Sequence, residues 1–169
     1  LQVLRFTFSP YEFRHLAGLH RLESKCLRKN SERLLKDALA GKLTLADLQK
    51  ASNWPQEAET ILGRLTALSQ LDVLMDEFLL IYGFSAQKLV PAVHTKIEAD
   101  YLIRFELEDG RTFFFSVRQK EDYCGRSLFI NNEQDYSAGQ TKYTLLEKSR
   151  TNVQTGETAL LYQRESYKK

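Results

Sequence analysis

Apolar positions recur at helical spacing in the first half of the chain and alternate in the second, with the change near Gly83. The chain opens with Val3-Leu-Arg-Phe-Thr-Phe8, an alternating stretch that reads as a strand with Leu4, Phe6 and Phe8 to one side. Ser9-Pro10-Tyr11-Glu12 then supplies a hydroxyl cap, a proline at the first helical position and a glutamate three residues after the cap, so a helix is predicted from about Pro10 to Glu23. A second helix begins at Ser31 and is closed by Gly41, and a third is capped by Thr44 and ends near Ser52. The stripe Ile61, Leu65, Leu68, Leu71, Val73, Leu74 and Phe78 predicts a long fourth helix from Trp54 or Pro55 to Tyr82.

Beyond Gly83, Tyr101, Ile103, Phe105 and Leu107 face one way, Asp109-Gly110 is a hairpin signal, and Thr112 to Val117 returns as the partner strand. Ser127–Ile130, Tyr143–Lys148 and Thr158–Tyr162 read as three more strands, the last two joined through Thr155-Gly156. No repeat, low-complexity tract or proline-rich linker divides the chain. The expectation is one α+β domain: an N-terminal strand and helical region over 1–84, then an antiparallel sheet of about four to five strands over 85–169.

Composition narrows the class. A chain of 169 residues with 43% apolar content can bury a substantial core without disulfides or metals. No apolar run approaches the roughly 20 residues of a membrane span, and the first residues lack the pattern of a signal peptide, so the expected location is cytoplasmic, away from membranes. Cys26 and Cys124 form no CxxC pair and read as ordinary thiols.

The net charge of +2 hides an uneven distribution: +4 over residues 1–33, −5 over 34–110 and +3 over 111–169. Two basic ends packed together would attract a polyanion. The acidic middle, from Ser31 to Tyr82, is expected to be a scaffold apart from the chemistry.

The segment Phe8-Ser-Pro-Tyr-Glu-Phe-Arg-His-Leu-Ala-Gly-Leu-His-Arg-Leu22 holds two of the three histidines. On a continuous helix His15 and His20 stand about 140° apart, which excludes a shared metal, and no cofactor is expected. His20 falls within the arc of Phe13, Leu16 and Ala17 and reads as a core histidine bonded to backbone, whereas His15 is free to reach a cleft. Gly18 between them costs about 1 kcal/mol relative to alanine in a helix, which calls for close approach of another element such as the sheet. Arg14 and Arg21 share a flank, with Lys25 a turn on, and could hold a phosphate. His94 has no evident role.

The C-terminal strands add Arg126, Ser127, Gln140, Lys142, Lys148 and Arg150. Hydroxyls, an amide and cations on a sheet opposite a histidine-bearing helix suit phosphodiester chemistry without a metal, which needs a base for the ribose 2′-hydroxyl, an acid for the leaving oxygen and cations for the developing charge. The absence of GxSxG and of a phosphate-cradling glycine loop leaves hydrolase, kinase and hydride chemistry unsupported.

"FSPYEFRHLAGLHRL", "YCGRSLFI", "DYSAGQ" and "TLLEKSR" resemble the phage and mobile-element domains grouped with barnase, EndoU, colicin ribonucleases and RelE, closest to the fourth of the phage subfamilies. The resemblance implies metal-independent endoribonuclease activity in a toxin or phage-conflict effector, with RNA as substrate and with a protein inhibitor or a larger mobile-element assembly as partner. It places His15 in an F-x-H-L-x-G-L motif, Arg126 and Ser127 ahead of a strand, Gln140 in a Y-x-x-G-Q turn and Lys148 on the following strand. The catalytic set is then His15, Arg126, Ser127 and Lys148, with Arg14, Arg21, Gln140 and Lys142 binding substrate. The alternative is a non-catalytic module that holds RNA or a protein.

Overall fold

The computed structural model describes every residue except Cys26, Arg28, Glu108, Asp109, Lys168 and Lys169, together with the side chain of Leu107. The thiol expected at Cys26 and the Asp109 half of the hairpin signal lie outside the described residues.

The helical half is more broken than its apolar stripes predict. A 3-10 turn at Pro10–Glu12 runs into α1 (Phe13–Leu16), and a second 3-10 turn follows at Leu19–Arg21. Ser9 and Glu12 form the expected capping box. Next come α2 (Ser31–Leu39), which begins at Ser31 as expected and is capped by the Asn30 side chain, and α3 (Leu45–Leu48), whose capping box pairs Thr44 with Asp47.

The single long helix expected up to Tyr82 is instead α4 (Trp54–Ser69), α5 (Leu71–Glu77) and a strand at Leu80–Gly83. One apolar stripe concealed a break at Gln70. The strand forms because Ile81 and Tyr82 are buried in opposite cores, an alternation only extended backbone provides.

The strands are β1 (Phe6–Thr7), β2 (Leu80–Gly83), β3 (Tyr101–Leu107), β4 (Gly110–Gln119), β5 (Asp122–Ile130), β6 (Thr141–Thr144), β7 (Glu147–Thr151) and β8 (Thr158–Gln163). Six of them form one sheet in the order β1-β5-β4-β3-β2-β6, and β7 and β8 form a separate pair. The sheet is mixed, not wholly antiparallel, because the short β1 runs parallel to β5. The segment read as one strand over Tyr143–Lys148 is divided: β6 pairs with β2, and β7 pairs with β8.

Both faces of the sheet are covered. Tyr101, Ile103 and Phe105, the face predicted from alternation, meet Phe114, Leu128, Leu74 and Phe78 under the helices. Leu102, Phe113 and Phe115 point the other way into a core closed by Tyr82, Phe84, Leu89 and the partly buried Phe129 and Tyr136. Burial on both sides explains why β4 carries three consecutive phenylalanines, each no more than 1% exposed. A third cluster, with Ala17, Leu19, Leu34, Leu48 and Ile61 at its centre, binds the helices to one another.

Two features of β5 position the site. β1 pairs with β5 only at Tyr123 and Cys124, and α1 and α4 pack against that strand. At Gly125 a Cβ would lie 3.1 Å from both methyl carbons of Leu16, so α1 sits closer than most residues would permit. Immediately after it, Ser116 pairs with Gly125 and Phe115 with Ser127, which leaves Arg126 as the extra residue of a β-bulge.

Candidate active site

The site begins with the failure of a helix. α1 ends at Leu16 with Ala17 as its cap, and Gly18, at φ +72°, takes a left-handed conformation from which the chain restarts as a 3-10 turn. The 140° separation predicted for an unbroken helix therefore does not arise. His15 and His20 are brought together, with ring centroids 4.5 Å apart and planes inclined at 35°. Close approach at Gly18 was expected, but it comes from α4 and not from the sheet: a Cβ there would lie 2.6 Å from Cδ of Arg64.

His20 is exposed and not a core residue, although its Nδ1 does face backbone, 3.4 Å from the carbonyl oxygen of Arg14. His15 is also exposed.

Arg64 joins the parts. Its Nη1 donates to the His15 carbonyl at 3.4 Å and its Nη2 to Ser127 Oγ at 3.5 Å, both long contacts, while its guanidinium lies 5.6 Å from the centre of the Phe129 ring. Arg126 on the bulge and Arg14 on α1 complete a set of three guanidiniums whose positive fields reach His15. Among the described residues no carboxylate lies within ion-pair distance of Arg14, Arg64 or Arg126. The Nε atoms of Arg14 and Arg64 are buried with no hydrogen-bond partner among those residues. Buried donors are ordinarily satisfied, so two orphaned cationic donors beside two imidazoles favour an arriving anion.

The charge state follows from this setting. Although the residue is exposed overall, its ring is partly desolvated; this desolvation lowers the pKa of His15, and the fields of Arg126, Arg14 and Arg64 lower it further. Partial desolvation also lowers that of His20; its contact with the Arg14 carbonyl works the other way, and His15, Arg64 and Arg14 add to the depression. Both rings therefore favour the neutral form at pH 7, ready to accept a proton.

The family model described as phage-Barnase-EndoU-ColicinE5/D-RelE like nuclease 4 (PBECR4) matches residues 1–165. The chain belongs to the PBECR4 family. No curated protein and no solved structure gives a significant match. Among the described residues no helix is long and apolar enough to cross a membrane, and no three His, Cys, Asp or Glu side chains gather as a metal site would require.

In this PBECR4 domain the structure gathers some of the sequence-selected residues and separates others. His15, Arg14 and Arg126 lie close enough for the arginine charges to act on the ring, and Ser127 is tied to His15 through Arg64. Arg21 is engaged by Glu57, donating from Nε at 2.5 Å and from Nη2 at 3.2 Å, and the pair stands near enough for its charges to act on Arg64 and His20.

Lys148, Gln140 and Lys142 lie toward the β2–β6 side. The Lys148 ammonium is buried, donates to the carbonyls of Asp76 at 2.6 Å and Phe78 at 2.8 Å at the end of α5, and sits 4.2 Å from the centre of the Phe78 ring. Gln140 is bonded at both ends of its amide to the backbone of Ser85, accepting at 2.8 Å and donating at 3.0 Å. Lys142 pairs with Tyr82 across β2 and β6 and is exposed. β2 and β5 are three strand spacings apart, about 14 Å along the sheet.

Two residues were overlooked. Arg64 belongs to the acidic helical middle that was expected to stand apart from the chemistry. Its signal is a charge inside an apolar arc, since on α4 it lies between Ala67 and Ile61, both fully buried. The other is Glu12, whose cap role was read but not its tie to β5. Burial raises its carboxyl pKa, opposed by hydrogen bonds from the Ser9 and Gly125 backbone and from the Cys124 thiol. Burial and the Glu12 carboxyl in turn raise the pKa of that thiol, which argues against a reactive cysteine.

Proposed function

We propose that this PBECR4 domain is a metal-independent endoribonuclease whose centre is the histidine–arginine cluster at β5. The observation that carries the reading is the pair of imidazoles 4.5 Å apart beside three guanidiniums that have no carboxylate partner among the described residues. Such a cluster attracts a phosphodiester and repels a divalent cation. Arg14, Arg64 and Arg126 hold the phosphate oxygens and stabilise the charge that develops on them, Ser127 orients the group, and His15 moves the proton.

In the reaction the ribose 2′-oxygen bonds to phosphorus and gives its proton to a neutral base. The phosphorus–O5′ bond breaks, and O5′ receives a proton from an acid. The products are a 2′,3′-cyclic phosphate and a 5′-hydroxyl. Cleavage of cellular or phage RNA by this route would make the domain a toxin or conflict effector, and such a protein calls for an inhibitor.

The test is incubation of RNA with the purified chain, with and without a chelator, followed by end-group analysis. Cleavage that survives the chelator and leaves cyclic phosphate ends supports the reading. Tight RNA binding without cleavage would replace it with a binding module, and cleavage abolished by the chelator would contradict the metal-independent route.

A further inference from the structure

We propose that His20 is the second acid–base group of this centre, and that the His15–His20 pair takes up a proton when a phosphodiester binds, so that the substrate charges its own general acid. The proposal rests on the endoribonuclease reading and adds to it the origin of the acid.

The groups facing the pair define its proton affinity. Arg14 comes from α1, Arg64 from α4 and Arg126 from β5, and each disfavours a charged ring. Arg21 stands next along the chain paired with Glu57, whose carboxylate also acts on His20 and Arg64 and offsets part of the arginine field, and Ser127 is neutral. Glu12 is turned toward Cys124 and Gly125. Without substrate the field at the rings is therefore dominated by cations, and the pair is neutral near pH 7.

Two protonated imidazoles with centroids 4.5 Å apart would repel each other, so the pair holds at most one proton over the working range. A bound phosphodiester changes this in two ways. Its negative charge cancels part of the arginine field, and its oxygens accept a hydrogen bond that only a ring N–H can donate. Both favour one imidazolium.

The contact between His20 Nδ1 and the Arg14 carbonyl fixes which nitrogen is occupied, leaving Nε2 for proton exchange. During cleavage the neutral ring takes the 2′-hydroxyl proton as the new P–O bond forms, and the charged ring gives its proton to O5′ as the old bond breaks. The pair ends with one proton, carried by the other ring, so its total charge is unchanged by the step. A base and an acid are both present only after binding has supplied that proton.

The coupling is reciprocal: an anion that raises the proton affinity of the rings binds more tightly as pH falls. The probe is oligothymidylate, which carries phosphodiesters but neither a 2′-hydroxyl nor a base that titrates near neutrality. Titration calorimetry near pH 7 in buffers of different ionisation enthalpy reads the protons taken up per site, and imidazole proton shifts report which rings titrate.

The expected result is uptake of up to one proton, with affinity falling as pH rises toward 8. In His20→Asn, whose amide can still donate to the Arg14 carbonyl but does not titrate, the fold should persist while uptake drops and the acidic limb of the cleavage pH profile changes. Binding without proton uptake, or uptake unchanged in His20→Asn, would overturn the proposal. Uptake in a chain that never cleaves RNA would defeat the nuclease reading and leave the coupling standing. Cleavage without uptake would defeat only the coupling.

Discussion

The two sides of the sheet carry similar cations in different circumstances. Toward β2 and β6, Lys148 is capped onto the carbonyls of Asp76 and Phe78, Arg150 donates to Asp76 at 2.5 Å, and the Gln140 amide is taken up by the backbone of Ser85. At β5, Arg14, Arg64 and Arg126 have no carboxylate partner among the described residues, and two imidazoles lie beside them. Residue type does not distinguish the two sides. What distinguishes them is whether the chain already supplies the counter-group: a lysine capped by carbonyls holds the fold together, and an arginine with no carboxylate partner is available to an anion.

The largest effect expected from this contrast is on catalysis. His15→Gln should lower the cleavage rate by about 10²–10⁴-fold, the usual contribution of an acid–base group, with little change in melting temperature because the ring is exposed. Rate and thermal melting measured on the same preparation check it, and full activity would remove His15 from the centre.

Lys148→Met should behave in the opposite way. It keeps an apolar stem but leaves two carbonyls without their donor, a cost of about 2 kcal/mol in denaturant unfolding, with the rate per folded molecule unchanged. A stable but inactive Lys148→Met would erase the distinction between the two sides.

Arg126→Gln should weaken oligonucleotide binding by about tenfold and reduce the salt dependence by about one released ion. Lys142→Gln, on the β2–β6 side, should change neither, and equal losses in both variants would show that RNA does not prefer β5.

The smallest effect is on stability as a function of pH. Both histidines bind protons less readily in the folded state than in the unfolded chain. The unfolded state therefore holds more protons below the ordinary histidine pKa of about 6.5, and stability rises as pH increases toward 7 and falls on acidification. Melting temperatures from pH 5 to 7.5 should show this rise, and the slope should be shallower in the double variant His15→Gln, His20→Asn.

Much of the fold is legible in the sequence because the period of apolar residues records which surfaces are buried. The Ser9–Glu12 cap, the Tyr101–Ile103–Phe105 face and the antiparallel β3–β4 pair follow from it directly. The period does not record a break in a continuous stripe, which is why α4, α5 and β2 read as one helix.

The candidate site was half legible. His15, Arg126 and Ser127 stood out by chemistry, whereas the His15–His20 contact depends on a single backbone dihedral at Gly18. A glycine between two histidines is equally consistent with a tolerated helix position and with a kink, and the two place the rings differently. Lys148 and Gln140 were selected by their places in short motifs, which say nothing of partners supplied from 55 to 72 residues away.

The most direct measurement is the mapping of a non-cleavable 2′-deoxy-oligonucleotide onto the chain by backbone and imidazole chemical-shift changes. The account predicts the main shifts at Arg14, His15, His20, Arg126 and Ser127, with Gln140, Lys142 and Lys148 nearly unmoved. Shifts centred on Gln140–Arg150 with silent histidines would contradict it.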